Sequence, residues 1–169
     1  MTKVSKGEII YLSLGSNLGD RMQNLRQASE LFEKQAGDLI KVSKIYQSEA
    51  WGYSSSNDFY NCCLSGMSHL EPFALLDTLM EIETSLGRIR KAGGYTDRLI
   101  DIDLLFYGDT ILEEARLTLP HPAISKRRFV LLPLTDIAAE LVHPVSGLSI
   151  QEMLQNCPGK DRVTPVATW

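Results

Sequence analysis

The sequence predicts an α+β sandwich of the ferredoxin-like, split βαβ kind: a mainly antiparallel sheet with helices packed on it and a C-terminal extension. Two observations predict it. Six patterned segments run strand, helix, strand, then strand, helix, strand, so that helices follow the first and third strands. The chain is 169 residues long, the size of one domain that can bury a core, and it carries no internal repeat, low-complexity tract or long linker. The pattern predicts architecture and leaves function open.

The elements follow in order. Residues 1–8 are expected to form a flexible N-terminal extension, with 1–169 otherwise a single domain. Glu8-Ile9-Ile10-Tyr11-Leu12-Ser13-Leu14 reads as the first strand, running into the turn Gly15-Ser16-Asn17-Leu18-Gly19. Asp20 can cap a helix whose apolar positions Leu25, Ala28 and Phe32 recur at helical spacing. A second strand is expected over Leu39–Gln47 and a third over Phe59–Ser68, with Trp51–Asn57 between them a mobile loop rich in Gly, Ser and Asn. Glu71-Pro72 opens a second helix with core stripe Leu75, Leu79, Ile82 and Leu86, stopped by Gly87. After a basic loop over Arg88–Asp97, Leu99–Phe106 is the clearest strand, and Gly108-Asp109 turns into a short strand at Thr110–Glu113. Beyond Pro120 prolines alternate with short helical pieces, ending in a helix at Ser149–Asn156.

Composition narrows the function classes. A net charge of −4 argues against a nucleic-acid-binding module. No stretch is long and apolar enough to span a bilayer, and the N-terminus lacks the apolar core of a signal peptide, so a cytoplasmic protein without a membrane partner is expected. Cys62, Cys63 and Cys157 show no zinc spacing; on a strand, Cys62 and Cys63 would point to opposite faces as small core residues.

The chemistry is concentrated in Arg98-Leu99-Ile100-Asp101-Ile102-Asp103-Leu104-Leu105-Phe106. Strand alternation puts Ile100, Ile102, Leu104 and Phe106 on one apolar face and Asp101 with Asp103 on the other, roughly 6.5–7 Å apart. Paired carboxylates are costly to hold ionised without countercharge, and two Mg²⁺ ions would supply it while keeping sites for phosphate oxygens. Arg88, Arg90, Lys91 and Arg98 lead directly into this strand, and arginine forks suit phosphate recognition. Downstream, Arg116, His121, Lys126, Arg127 and Arg128 make a second basic cluster, with His121 also readable as a turn residue of Leu119-Pro120-His121-Pro122. Gly15–Gly19 lacks the Gly-Lys-Ser/Thr ending of a P-loop and reads as a tight strand-to-helix turn.

These pieces resemble the 6-hydroxymethyl-7,8-dihydropterin pyrophosphokinase family. The matching segments, in the family's order, are Leu14-Gly15-Ser16-Asn17-Leu18-Gly19-Asp20-Arg21, Phe59-Tyr60-Asn61, Gly87-Arg88-Ile89-Arg90, Arg98-Leu99-Ile100-Asp101-Ile102-Asp103 and Leu119-Pro120-His121. The resemblance implies Mg²⁺-dependent transfer of the β,γ-diphosphate of ATP to the pterin hydroxymethyl group, releasing AMP, in folate biosynthesis. It implies that Asp101 and Asp103 hold two Mg²⁺ ions and that Arg88 and Arg98 neutralise charge in the transition state. Glu83, Arg90, Arg98, Leu104, Arg116, Thr118, His121 and Arg127 would line the ATP site. Phe59 and Phe129 would sandwich the pterin, Asn61 would read its edge, and Ser48 and Trp51 would complete that pocket. A monomer is expected. The chain departs from the family's pattern at Ser48-Glu49-Ala50-Trp51, Met80, Gly94-Tyr95 and Asp97.

Taken without the resemblance, the residues leave two other readings open. One is a two-metal nucleotidyltransferase or phosphotransferase with another acceptor. The other is a non-catalytic ferredoxin-like binding module, which would bind nucleotide equally well with or without Mg²⁺. Residue by residue, Phe59 and Phe129 also read as core residues, Asn61 as a buried amide and Glu83 as the exposed edge of a helix.

Overall fold

The computed structural model describes residues 6–169. Residues 1–5, most of the expected N-terminal extension, lie outside the described residues; Glu8 already belongs to the first strand, paired with Ser68. The elements are β1 (Glu8–Ser16), α1 (Arg21–Gln35), β2 (Asp38–Val42), β3 (Ile45–Ser48), β4 (Phe59–Ser68), α2 (Pro72–Ser85), β5 (Asp101–Tyr107), β6 (Leu112–Glu113), β7 (Thr118–Leu119), α3 (Arg128–Ala138), α4 (Ile150–Asn156) and β8 (Val163–Ala167). The main sheet runs β5-β1-β4-β3-β8, with β2 also on β4, and its pairings are antiparallel. This is the ferredoxin-like order, with the second strand split in two.

Local chemistry sets the helix ends. The Asp20 carboxylate accepts from the Gln23 amide at 3.0 Å and starts α1. Ser149 and Glu152 form a reciprocal capping box on α4. One layer, α1 and α2, packs on the β1 face carrying Ile10, Leu12 and Leu14, together with Cys62, Leu64, Ile100, Ile102 and Leu104. The opposite face is covered at one end only. There α3 and α4 bury Val130, Leu131, Leu134, Ile150 and Met153 against Cys63, Leu105 and Phe106. The cysteines therefore do serve the two faces. The uncovered end of this second face is where the chemistry lies.

Four sequence expectations are corrected. The second strand breaks at Ser43-Lys44, because the Lys44 amide leaves the ladder to donate to Asp136 on α3 at 3.1 Å. The key strand begins at Asp101 rather than Leu99 and ends at Tyr107. Phe106 is not on the face of Ile102 and Leu104: Leu12 pairs with Leu104 but Tyr11 with Phe106, and this bulge turns Phe106 toward α3 and α4. Finally, the C-terminal region contains an eleven-residue helix, α3, and a further strand, β8, that joins the sheet beside β3.

Candidate active site

The bare end of the second sheet face presents small and polar residues. Asp101 lies opposite Gly15 and Asp103 opposite Ser13 on β1, while Gly15 in turn faces Asn61 on β4. Gly15 is thus part of the strand, and its lack of a side chain has a use. A Cβ there would stand 3.1 Å from Asn61 Oδ1 and 3.4 Å from Phe59 Cδ1, so glycine lets both rest on the strand. The expected turn follows it, with Gly19 at φ +65°.

The two carboxylates are held among arginines. Arg88 Nη1 donates to Asp101 Oδ1 at 2.8 Å, Arg98 Nη1 lies 3.4 Å from Asp101 Oδ2, and Arg127 Nη1 lies 3.4 Å from Asp103 Oδ2. Behind them Glu83, only 2% exposed, pairs with Arg88, receives Arg90 Nη2 at 2.6 Å and accepts from the Ile102 amide at 3.0 Å. Glu83 is therefore no exposed helix edge. It joins α2 to β5 and orients Arg88. Burial raises its pKa, against the pull of Arg88. Burial also opposes charge on Arg88, but Asp101 and Glu83 outweigh it and hold the guanidinium protonated. Burial and the adjacent Asp101 push Asp103 up to about 7, so the arginines do not fully compensate the carboxylates.

Two cavities meet at this pair. The first, about 480 Å³ with its mouth, is lined by Ser48, Trp51, Phe59, Asn61, Phe129, Arg98, Asp101, Asp103 and Arg127 among others. Asn61 Nδ2 donates to Ser48 Oγ at 2.7 Å, which leaves its amide oxygen unpaired toward Gly15. The second, about 990 Å³ and open to solvent, is lined by Glu83, Arg88, Arg90, Arg98, Arg116, His121, Arg127 and the same two aspartates. An adjoining recess brings Leu104, Thr118, Arg116 and His121 together. Every residue assigned from sequence to the metal, ATP or pterin site lies on one of these three walls, as does Met80, whereas Lys91, Gly94, Asp97, Lys126 and Arg128 do not.

Individual placements differ in kind. Leu104 is mainly a core residue at 4% exposure, and Arg116 is tied to Asp77. His121 is both turn and wall: its amide donates to Leu105 O at 2.9 Å and its Nδ1 accepts from the Ala123 amide at 3.2 Å. Burial and Arg127 lower its pKa to about 4, so it is neutral at pH 7, and Nε2 carries the proton as a donor. Arg127 lies over the Trp51 ring at 4.8 Å, and its buried Nε finds no acceptor among the described residues. Ser13, Tyr53 and Tyr95 also line the first cavity and were not singled out as contacts. Strand alternation with Asp103 could have found Ser13; no sequence signal places Tyr53 or Tyr95.

The donor set fits a hard divalent cation. It offers the carboxylate oxygens of Asp101 and Asp103, whose mutual repulsion the arginines do not fully offset. Among the described residues no group of three or more His, Cys, Asp or Glu comes together, so an ion here would complete its shell with water and phosphate, as Mg²⁺ does. No helix among them is long and apolar enough to cross a membrane.

Comparison with known proteins gives the family and supports the fold. The profile of 7,8-dihydro-6-hydroxymethylpterin-pyrophosphokinase matches residues 11–139. The 2-amino-4-hydroxy-6-hydroxymethyldihydropteridine pyrophosphokinase of Porphyromonas gingivalis is 42% identical over 139 residues, covering 80% of this chain and 94% of that protein. The folic acid synthesis protein fol1 of Pneumocystis carinii is 39% identical over 94% of this chain, which spans only 21% of that longer protein. A crystal structure of a Plasmodium falciparum HPPK-DHPS triple mutant superposes with a TM-score of 0.73 at 19% identity, over 91% of this chain and 45% of that one; it speaks for the fold. The chain belongs to the 7,8-dihydro-6-hydroxymethylpterin-pyrophosphokinase family.

Proposed function

We propose that this chain transfers the β,γ-diphosphate of ATP to the hydroxymethyl oxygen of 6-hydroxymethyl-7,8-dihydropterin, a step of folate synthesis that leaves AMP. The observation that carries the reading is the position of Asp101 and Asp103 in the shared wall of an aromatic cavity and a basic one. A flat heterocycle suits the first, between Phe59 and Phe129 with the free amide oxygen of Asn61 at its edge. A polyphosphate suits the second. The acceptor hydroxyl and the β-phosphorus would then meet over the carboxylates.

In the reaction a bond forms between the hydroxyl oxygen and the β-phosphorus, the bond from that phosphorus to the oxygen shared with the α-phosphate breaks with its electron pair leaving on AMP, and the hydroxyl proton is released to solvent. Asp101 and Asp103 are the residues that would hold two Mg²⁺ ions, which when bound would neutralise and orient the diphosphate oxygens. Arg88 and Arg98, freed from Asp101, are placed to meet charge that builds on the moving group. Arg127, with an unpaired Nε in the wall between the cavities, can contact the same group from the other side. His121 Nε2, Arg90 and Arg116 supply donors farther along the nucleotide side, and Leu104 and Thr118 line the recess beyond.

Incubation with ATP, Mg²⁺ and the hydroxymethyl pterin should yield AMP and pterin diphosphate in equal amounts. ADP as the sole nucleotide product would mean that a single phosphoryl moves and would overturn the assignment.

A further inference from the structure

One carboxylate outside the aspartate pair collects four donors from two separate segments. Asp97 Oδ1 accepts from Ser55 Oγ at 2.6 Å, from Asn17 Nδ2 at 2.9 Å and from Tyr53 Oη at 3.0 Å, while Oδ2 accepts from Asn57 Nδ2 at 2.9 Å. Ser55 contributes most to holding this carboxyl below the usual range, with help from Asn17, Tyr53 and Asn57. The backbone next to it is fastened too: the Arg98 amide donates to Asn17 Oδ1 at 2.7 Å and the Asn17 amide to Arg98 O at 3.1 Å. Two residues earlier, Tyr95 stacks on Tyr53 at 6.4 Å and 12° and meets Trp51 edge-on at 6.4 Å. Gly52, at φ +82° with its absent Cβ 3.4 Å from Tyr95 Cε2, makes room for that ring.

We propose that Asp97 is a positioning residue whose carboxylate fastens the 51–57 loop to the loop that carries Arg98, fixing the Trp51 wall of the aromatic cavity and the Arg98 guanidinium at one spacing. The two loops combine glycine with small and polar residues and place no fully buried side chain in the core. A single anion with four donors replaces the missing core, because hydrogen bonds to a charged acceptor are the strong ones. The fastening acts on the acceptor side of the site. Trp51 and Tyr53 line the aromatic cavity and not the nucleotide one, and Glu83, Arg116 and His121 of the nucleotide side lie outside both loops, while Tyr95 and Arg98 line both cavities. The inference rests on the reading of the aromatic cavity as the pterin pocket.

Asp97→Ala removes all four acceptor contacts. It should raise the pterin KM and lower kcat by about tenfold or more, as loosened positioning does, while the Kd of a non-hydrolysable MgATP analogue moves less than about threefold. The double variant D97N/N57D reverses the Asn57 pair, with the new amide donating to the new carboxylate and the remaining oxygen still facing Asn17, Tyr53 and Ser55. It should recover most of the loss. Hydrogen exchange in the protein without substrates gives a readout independent of which substrate is used. The Arg98 and Asn57 amides, which donate to Asn17 Oδ1 and Ser55 Oγ, should exchange about tenfold faster or more in Asp97→Ala. Unchanged exchange at those two amides would overturn the proposal, as would equal losses of pterin and nucleotide binding with a lowered Tm. A wild-type protein inactive on the pterin would end the substrate reading, and the exchange result would still decide the role of Asp97.

Discussion

Asp103→Asn should make the metal-free protein more stable while nearly abolishing turnover. The Asp103 carboxyl is pushed from 3.8 up to about 7 by burial and by Asp101. Each unit corresponds to about 1.4 kcal/mol between protonation states, so a shift of about three units puts roughly 4 kcal/mol against holding this charge in the folded protein. The side chain keeps 29% of its surface accessible, and solvent screening there reduces the expectation to about half. Loss of the 3.4 Å contact with Arg127 takes back part of the remainder, on the order of 0.5–1 kcal/mol. A net gain on the order of 1 kcal/mol in a chain of this size raises Tm by roughly 2–4 °C. The sign has a pH signature. A raised pKa means that the folded state keeps a proton the unfolded chain has released, so wild-type stability falls between about pH 4 and pH 7. The advantage of Asp103→Asn should therefore grow across that window and level off above it. Thermal melts in chelator at several pH values measure this. A variant that melts at or below wild type at pH 8, or an advantage independent of pH, would refute the reasoning.

The other predictions concern separate parts of the molecule. Asp101→Asn should reduce turnover to near background with the fold intact; activity within about tenfold of wild type would remove Asp101 from the metal site. Arg98→Ala should lower kcat far more than it raises KM for ATP, since charge on the moving group builds mainly in the transition state; a raised KM with unchanged kcat would make Arg98 a ground-state contact. Phe129→Ala should weaken pterin binding by about 1–3 kcal/mol in a direct titration and leave ATP binding alone; equal losses for both ligands would show a core role. Asp136→Ala should cost roughly 2–3 kcal/mol of stability in denaturant melts, because the buried Tyr46 hydroxyl and the Lys44 amide both lose their acceptor; a cost below about 0.5 kcal/mol would mean that water replaces it.

Much of this site was legible because it is written along the chain. Asp101 and Asp103 share a face through strand alternation, and Arg88, Arg90 and Arg98 lie close to them in sequence. The likeness of short segments to a family supplied Phe59, Asn61 and Phe129, because two phenylalanines and one amide do not by themselves separate pocket from core. What stayed hidden depends on contacts between distant segments. The break at Ser43-Lys44 exists because Asp136, some ninety residues later, captures one amide. The bonds from Tyr53, Ser55 and Asn57 to Asp97 span about forty residues, and that from Asn17 eighty. No periodicity marks such pairings. The α3 helix was obscured by Pro133 inside it, a residue that local propensity reads as a breaker and that here is buried against the sheet.

The bulge in β5 gives that strand two reading frames. Up to Leu104, odd-numbered residues face the cavities and even-numbered ones face α1 and α2; past the extra residue, Phe106 faces α3 and Tyr107 faces the other layer. The strand is thus keyed into both helical layers by teeth of different phase, and it cannot slide along one without disengaging from the other. For the aspartates this works as a vernier: their position along the sheet is set by two independent scales that agree at a single setting. The constraint falls on length more than on chemistry. Swapping one apolar tooth for another of similar volume would be absorbed, whereas deleting Ile102, inside the regular run, would turn Ile100 and Asp101 onto each other's faces and detach that part of the strand from one of its two supports.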